Sequence, residues 1–183
     1  MENSGQIFAY DDDLRRLAPI HDRIKRSGVR NVQVRSPRGK ADVLADLAGH
    51  MDLVLVDAPC TGTGVWRRNP DAKWRMRPGA LDIRVREQAA LLDQAARYVK
   101  PGGRVAYVTC SVLDAENGAQ VRGFLARHPE FAAASVAELT QPLAERGTIL
   151  RAAALAGDEG ILLTPRRTDT DGFFISVLKS PSS

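Results

Sequence analysis

Two cysteines, Cys60 and Cys110, are the only thiols in the chain, and each directly follows a short aliphatic run. The first lies in Asp57-Ala58-Pro59-Cys60-Thr61-Gly62-Thr63-Gly64, which gathers a carboxylate, a rigid proline, a thiol and two glycines within one turn-like segment. A loop of this composition lets backbone approach a planar ligand closely while holding its side chains fixed. Neither cysteine has the Cys/His neighbours of a zinc site, and two thiols make no disulfide scaffold, so their use is local chemistry or packing. A buried cysteine is commonly just a small hydrophobe. Two of them at the ends of apolar runs point instead to a shared pocket. Asp11, which closes the run Gln6 to Tyr10, has the type and place to bind the ribose hydroxyls of a nucleotide-like cofactor. Between Trp66 and Arg86 stand seven basic residues, Arg67, Arg68, Lys73, Arg75, Arg77, Arg84 and Arg86, against Asp71 and Asp82, together with both tryptophans of the chain, Trp66 and Trp74. Cations for phosphates and rings for bases suit a single-stranded nucleic acid.

The elements that must position these residues follow from hydrophobic period. Gln6 to Tyr10 reads as a strand, Leu14 to Ile24 as a helix closed by Gly28, and Asn31 to Arg35 as a second strand. Pro37-Arg38-Gly39-Lys40 has turn composition, and Ala41 to Ala48 suits a short helix. Met51 to Asp57 is a near-continuous aliphatic run, as expected of a strand buried on both faces of a parallel sheet. Ala80 to Val99 has helical spacing, Lys100-Pro101-Gly102-Gly103 predicts a sharp turn, and Arg104 to Thr109 a further buried strand ending at Cys110. Asp114 to His128 reads as a helix with Asp114 as N-cap. Phe131 to Arg151 has no firm period. Gly160 to Thr164 and Gly172 to Leu178 read as closing strands, followed by a Ser/Pro tail, Ser180 to Ser183. Alternating strands and helices predict one α/β domain with a parallel sheet, whose ligand site lies at the carboxyl ends of the strands. Asp11, the segment Asp57 to Gly64, and Thr109-Cys110-Ser111 all fall there.

Composition narrows the class. The 183 residues carry 26 Lys and Arg against 22 Asp and Glu, a net charge of +4, with 44% hydrophobic and 26% charged residues, which excludes a disordered chain. No apolar run approaches the length of a membrane span, and the first residues lack a basic segment leading into an apolar one, so the expected location is the cytoplasm. No GxGxxG follows a strand, which disfavours a dinucleotide-dependent oxidoreductase.

Taken together these segments resemble the Sun/Fmu (RsmB-like) family of S-adenosylmethionine-dependent RNA cytosine-5 methyltransferases. Asp57 to Gly64 is similar to the family's DAPCSGTG loop, with Thr61 in place of Ser. Arg68-Asn69-Pro70-Asp71-Ala72-Lys73-Trp74 is similar to RRxPDxKW, Tyr107 to Ser111 to YxTCS, Glu116-Asn117 to the EEN continuation, and Asp171 to Phe174 to the closing DGFF strand. The resemblance runs from about Gly5 to Leu178 and implies a Rossmann-like class I methyltransferase sheet. Where the family places an adenine-contacting acid, this chain has Ser36-Pro37-Arg38.

The resemblance also implies roles. Carbon 5 of cytosine is too weak a nucleophile to take a methyl group directly, so a thiolate first adds to carbon 6. Cys110 matches that nucleophile, Cys60 the second cysteine that promotes release, and Asp57 the carboxyl group near N3. Asp11, Asp57 and Pro59 match cofactor positions, and Arg68 and Lys73 are the expected RNA contacts. The expected substrate is ribosomal RNA, presented as a single strand or a flipped cytosine, with no metal and no membrane partner. The alternative is a catalytically inactive carboxyl-terminal fragment that at most binds RNA.

In the family a glycine-rich DxCAAPGGK loop and its strand precede the segment resembled here. The chain is therefore expected to form a sheet lacking its first strand, with open edges that invite self-association. On this reading the 183-residue chain binds S-adenosylmethionine weakly or not at all. Calorimetric titration tests it: micromolar affinity would show that the shortened sheet still builds the site.

Overall fold

The computed structural model describes residues 1–39 and 41–182, so the expected turn at Lys40 and the last residue of the tail, Ser183, lie outside the described residues. Two compact units divide the chain, Met1–Ala48 and Gly49–Ser183.

In the first unit, β1 (Ile7–Tyr10) pairs in parallel with β2 (Val32–Arg35), Ile7 opposite Val32 and Tyr10 opposite Arg35. The helix expected over Leu14 to Ile24 is instead two, α1 (Leu14–Leu17) and α2 (Ile20–Ser27). Pro19 causes the break, since it has no N–H to continue the ladder and serves as the N-cap residue of α2. Of the apolar stripe on these helices only Leu17 is buried. Gly28 ends α2 at φ +67°, as its placement predicted. Ala41 to Ala48 forms only a single 3-10 turn, Ala45–Leu47, rather than a helix.

The second unit starts with β3 (Met51–Asp57), α3 (Ala72–Arg75), α4 (Ala80–Ala96), β4 (Val99–Thr109) and α5 (Gly118–Arg127). It continues with β5 (Ala132–Ala133), α6 (Val136–Thr140), α7 (Glu145–Ala153), β6 (Leu155–Gly157), β7 (Gly160–Leu163), α8 (Pro165–Thr168) and β8 (Phe173–Lys179). The sheet runs in the order β3-β4-β8-β7-β6, with β5 also pairing β8. Only β3 and β4 are parallel in it; the pairs β4 with β8, β8 with β7, and β7 with β6 are antiparallel. The expected parallel sheet is thus mixed. The two residues between β6 and β7 suffice for a hairpin, whereas a parallel pair needs a long crossover, here supplied by α4 between β3 and β4.

The core forms where α4 and α5 cover the sheet: Leu92, Val105, Tyr107, Val121, Phe124 and Leu178 are fully buried. The edge of the Phe174 ring meets Tyr107 at a centroid separation of 6.3 Å. β3 is buried on one face only. Val54 and Val56 turn into this core, whereas Leu53 and Leu55 are 56% and 66% exposed, contrary to a strand buried on both sides. The reason is that successive side chains of a strand point to opposite faces, and the core with α4 and α5 takes only the face that carries Val54 and Val56. The Lys100 to Gly103 turn is absorbed into β4 as a bulge, with Met51 opposite Val99 but Leu53 opposite Arg104.

The helix expected over Asp114 to His128 is interrupted. Asp114–Glu116 forms a 3-10 turn, Asn117 departs from helical dihedrals, and α5 begins at Gly118. Asp114 is not its N-cap; its carboxylate pairs with Arg122 at 2.7 Å. The aperiodic stretch after Phe131 holds α6, started by a capping box in which Ser135 and Glu138 satisfy each other's backbone N–H groups.

Three segments are tied together at one glycine. Gly64 N–H donates to the Cys110 carbonyl at 2.9 Å, and the Gly64 carbonyl accepts from Gly172 N–H at 2.8 Å. A Cβ on Gly64 would lie 2.2 Å from the Gly172 carbonyl oxygen and 2.8 Å from that of Cys110, so any side chain there must push backbone apart. Gly123, inside α5, meets only the flexible end of Arg127 at 3.5 Å. Gly64→Ala is therefore expected to destabilise the chain by about 1–3 kcal/mol. Gly123→Ala should stabilise it by about 0.5–1 kcal/mol. Urea unfolding of the two variants beside the parent chain measures both signs.

Candidate active site

The parallel register of β3 and β4 brings the two thiols together. Asp57 lies opposite Val108, and Ala58 N–H extends the ladder one step by donating to the Val108 carbonyl at 2.9 Å. Each chain then leaves its strand at the same level of the sheet. Cys60 Sγ stands 3.2 Å from Cys110 Sγ, both residues half-buried. At that distance one thiol donates to the other. The Cys60 S–H stabilises a Cys110 thiolate and pulls the Cys110 pKa down to about 7, against burial and the nearby Asp57 and Glu116 charges. The Cys60 thiol is pushed far up, first because it is the donor in that bond, then by burial and the adjoining negative charge. The hydrogen bond lets the pair carry one proton and one negative charge between two sulfurs, with Cys110 the favoured anion.

The loop carrying Cys60 is fastened by a residue that sequence reasoning did not single out as part of the site. Glu116 is fully buried. Its Oε1 accepts from Thr61 N–H at 2.8 Å and from Gln88 Nε2 at 3.1 Å, and its Oε2 from the Thr61 hydroxyl at 2.5 Å. Gln88 Nε2 also donates to the Pro59 carbonyl at 2.9 Å. The Glu116 carbonyl takes the Tyr107 hydroxyl at 2.6 Å, so the same residue touches the strand that ends at Cys110. The only signal in the sequence was the motif position Glu116-Asn117, since buried carboxylates are rare and no local pattern announces one.

Asn117 and Thr63 fix the Cys110 side. Thr109 Oγ1 donates to Asn117 Oδ1 at 2.6 Å, and Asn117 Nδ2 donates to the Ser111 carbonyl at 3.0 Å. The hydroxyls of Thr63 and Ser111 are 3.0 Å apart, and Val112 N–H donates to Thr63 Oγ1. These bonds explain the break in the helix at Asn117, whose side chain is committed to β4 and its exit.

The other expected site residues are placed as follows. Asp57 is exposed at the end of β3, and Pro59 is half-buried beside Gln88. Asp11, in the first unit, ends β1; its Oδ1 accepts from Asp13 N–H at 2.8 Å and lies 3.4 Å from the Arg16 guanidinium. Arg68 is held by Asp171, with Nε 3.0 Å and Nη2 2.5 Å from the carboxylate oxygens, and remains 62% exposed. Lys73 Nζ lies 4.8 Å from the centroid of the Trp74 ring, which is 81% exposed. Trp66 differs: it is half-buried, and its Nε1 finds no hydrogen-bond partner among the described residues. Arg67, Arg75 and Arg84 are paired with Asp169, Asp71 and Glu87. Among the described residues no three metal-binding side chains cluster, and no helix is long and apolar enough to cross a membrane.

The chain is similar to several known proteins. Ribosomal RNA small subunit methyltransferase B of Salmonella arizonae is 39% identical over 174 residues, covering 95% of this chain and 36% of that protein. The chain thus spans about a third of the length of this relative. Among solved structures, that of PH0851 superimposes with a TM-score of 0.84 at 34% identity, over 98% of this chain and 38% of its own. NSun6 from Pyrococcus horikoshii superimposes with a TM-score of 0.68 at 25% identity, over the whole of this chain and 43% of its own. These likenesses agree with the mixed α/β, Rossmann-like architecture. A family model described as 16S rRNA methyltransferase RsmB/F matches residues 1–179, and the chain belongs to that family of methyltransferases.

Proposed function

We propose that this chain carries the cysteine pair of an RNA cytosine-5 methyltransferase that acts on ribosomal RNA and uses S-adenosylmethionine. The observation that carries the reading is the 3.2 Å approach of Cys60 and Cys110 at the ends of two parallel strands. Methylation of a ring nitrogen, a base amino group or a ribose hydroxyl needs no thiol, whereas methylation at carbon 5 of a pyrimidine does.

The steps follow from the residues. A cytosine taken out of its stack meets the Cys110 thiolate at carbon 6, and a carbon–sulfur bond forms as the electron pair of the ring double bond moves toward carbon 5. Asp57, exposed at the mouth of the loop, hydrogen-bonds to N3 through one proton shared between its carboxyl group and the ring nitrogen, which offsets the charge displaced onto N3. S-adenosylmethionine, when bound, supplies an electrophilic methyl group at carbon 5. Its cationic sulfur and its hydroxyls suit carboxylate partners. Asp57 and Pro59 would hold the methyl end; the assignment of the ribose to Asp11 rests on the family resemblance alone. With Cys110 bonded to carbon 6, Cys60 gives up its own proton to water and, as thiolate, takes the carbon 5 proton; the double bond reforms and the Cys110 sulfur leaves as thiolate.

The RNA approaches over the basic segment. Trp74 offers an exposed ring for a base and Lys73 a cation over that ring. Arg68, held in place by Asp171, presents an oriented guanidinium to a phosphate at little further entropic cost. Self-association through an open sheet would use the outer edge of β3, beside exposed Leu53 and Leu55.

With RNA and S-adenosylmethionine, in a chain joined to the cofactor loop of its family, Cys60→Ala is expected to accumulate a covalent RNA adduct on a denaturing gel, and Cys110→Ala none. An adduct that survives loss of Cys110 would overturn the assignment. Replacing Lys73 and Arg68 by Ala should weaken RNA binding and reduce its salt dependence by roughly 0.7 log unit per lost phosphate contact. An unchanged slope would return the basic segment to ordinary solvated surface.

A further inference from the structure

We infer that Glu116 is a positioning residue, whose buried carboxylate sets the distance between the two thiols by fastening the Cys60 loop to the element that follows Cys110. Its role in methyl transfer rests on the function proposed above; its effect on the thiol pair does not.

The geometry singles it out. A carboxylate removed from water is costly unless its oxygens are satisfied, and Glu116 meets that cost with three donors. Two of the three belong to Thr61, the residue next to Cys60. The third is Gln88 of α4, whose same amide nitrogen holds the Pro59 carbonyl on the other side of Cys60. Both neighbours of the thiol are therefore anchored, one directly and one through Gln88, to a single carboxylate. Glu116 is itself held by the Tyr107 hydroxyl and begins the segment in which Asn117 grips Thr109 and Ser111, the residues flanking Cys110. Tension applied to either thiol passes through Glu116 to the other. A carboxylate serving only packing would need no donors from the loop on one side of one catalytic thiol, and an apolar side chain would fill the space at less cost.

The charge of Glu116 acts separately from its tether. The Cys60 S–H, and after it a backbone hydrogen bond, favour the Cys110 thiolate, whereas burial and the Asp57 and Glu116 charges oppose it. Removing the tether and removing the charge should thus move Cys110 in opposite directions. Glu116→Gln keeps an oxygen for Thr61 N–H and Gln88 and offers an amide that can donate to the Thr61 hydroxyl, so it retains the tether and loses the charge. Glu116→Ala loses both, and the freed loop takes the Cys60 donor away.

The test is the pH profile of iodoacetamide alkylation at Cys110 in the 183-residue chain, followed peptide by peptide by mass spectrometry. The parent chain should show a midpoint near 7. Glu116→Gln should show the same midpoint or a lower one. Glu116→Ala should shift toward an ordinary thiol near 8.5, reducing the alkylation rate at neutral pH by roughly tenfold. Thr61→Val removes one tether while preserving side-chain shape and should shift the midpoint in the same direction by less, which decides the matter if Glu116→Ala does not fold. A folded Glu116→Ala or Thr61→Val chain with the parental midpoint would overturn the inference, as would a Glu116→Gln chain that shifts upward as far as Glu116→Ala. Failure of the methyltransferase reading would appear elsewhere, as the absence of an RNA adduct with the alkylation profiles unchanged.

Discussion

Parallel pairing of β3 with β4 is the constraint on which the site depends. Antiparallel strands would send their carboxyl ends to opposite edges of the sheet and separate the two thiols by the length of a strand, nearly 20 Å for six residues at the usual rise. Parallel pairing requires the crossover that α4 provides, and that helix does more than connect. Its inner face supplies Leu92 and Ala95 to the core, and its Gln88 reaches the loop at the sheet's mouth. One element thus sets the strand direction, buries the apolar face of β3 and holds the segment that carries Cys60.

Where the strands end, hydrogen bonds replace hydrophobic packing as the source of order. Thr109, Ser111, Glu116 and Asn117 are all buried, and each has a partner. In the low dielectric of an interior such a network is rigid because every misplacement leaves a donor or acceptor unmet. Gly64 adds a steric condition, since its backbone bonds to Cys110 and Gly172 leave no room for a Cβ. The resulting loop is fixed at both ends and at its middle, which a pair of side chains that must stay in contact at 3.2 Å requires.

How much of this the sequence disclosed depended on whether the determining contacts were local. The aliphatic run of β3, the RVAYVT strand and the turn residues that follow them placed both thiols at strand ends, because strand burial and turn chemistry leave marks within a few residues. The break between α1 and α2 was equally local, announced by Pro19, and periodicity outweighed it. By contrast, the antiparallel half of the sheet depends on β8 lying between β4 and β7, a pairing between distant segments that no window of sequence contains. Asn117 likewise leaves the helix because Thr109 and Ser111 recruit its side chain, and Glu116 is tolerated in the interior only because Thr61 and Gln88 arrive from far along the chain. Leu53 and Leu55 are exposed because the core packs on the Val54 and Val56 face of β3, which the continuous aliphatic run does not reveal.

The shared proton of the thiol pair also orders the proposed reaction. While Cys110 is an anion, Cys60 keeps its proton, because losing it would place two negative charges 3.2 Å apart in a partly buried site. The second thiol is therefore no competing nucleophile at the start. Once Cys110 is bonded to carbon 6 its sulfur is neutral and a poor acceptor, so both the bond and the charge that raised the Cys60 pKa are gone. Cys60 can then release its proton to water and serve as the thiolate base for carbon 5. Departure of the sulfur restores the charge on Cys110, and that charge again favours protonation of Cys60. Two residues of the same type thus take different roles in sequence without any movement of the backbone, provided the network around Glu116 keeps them in contact.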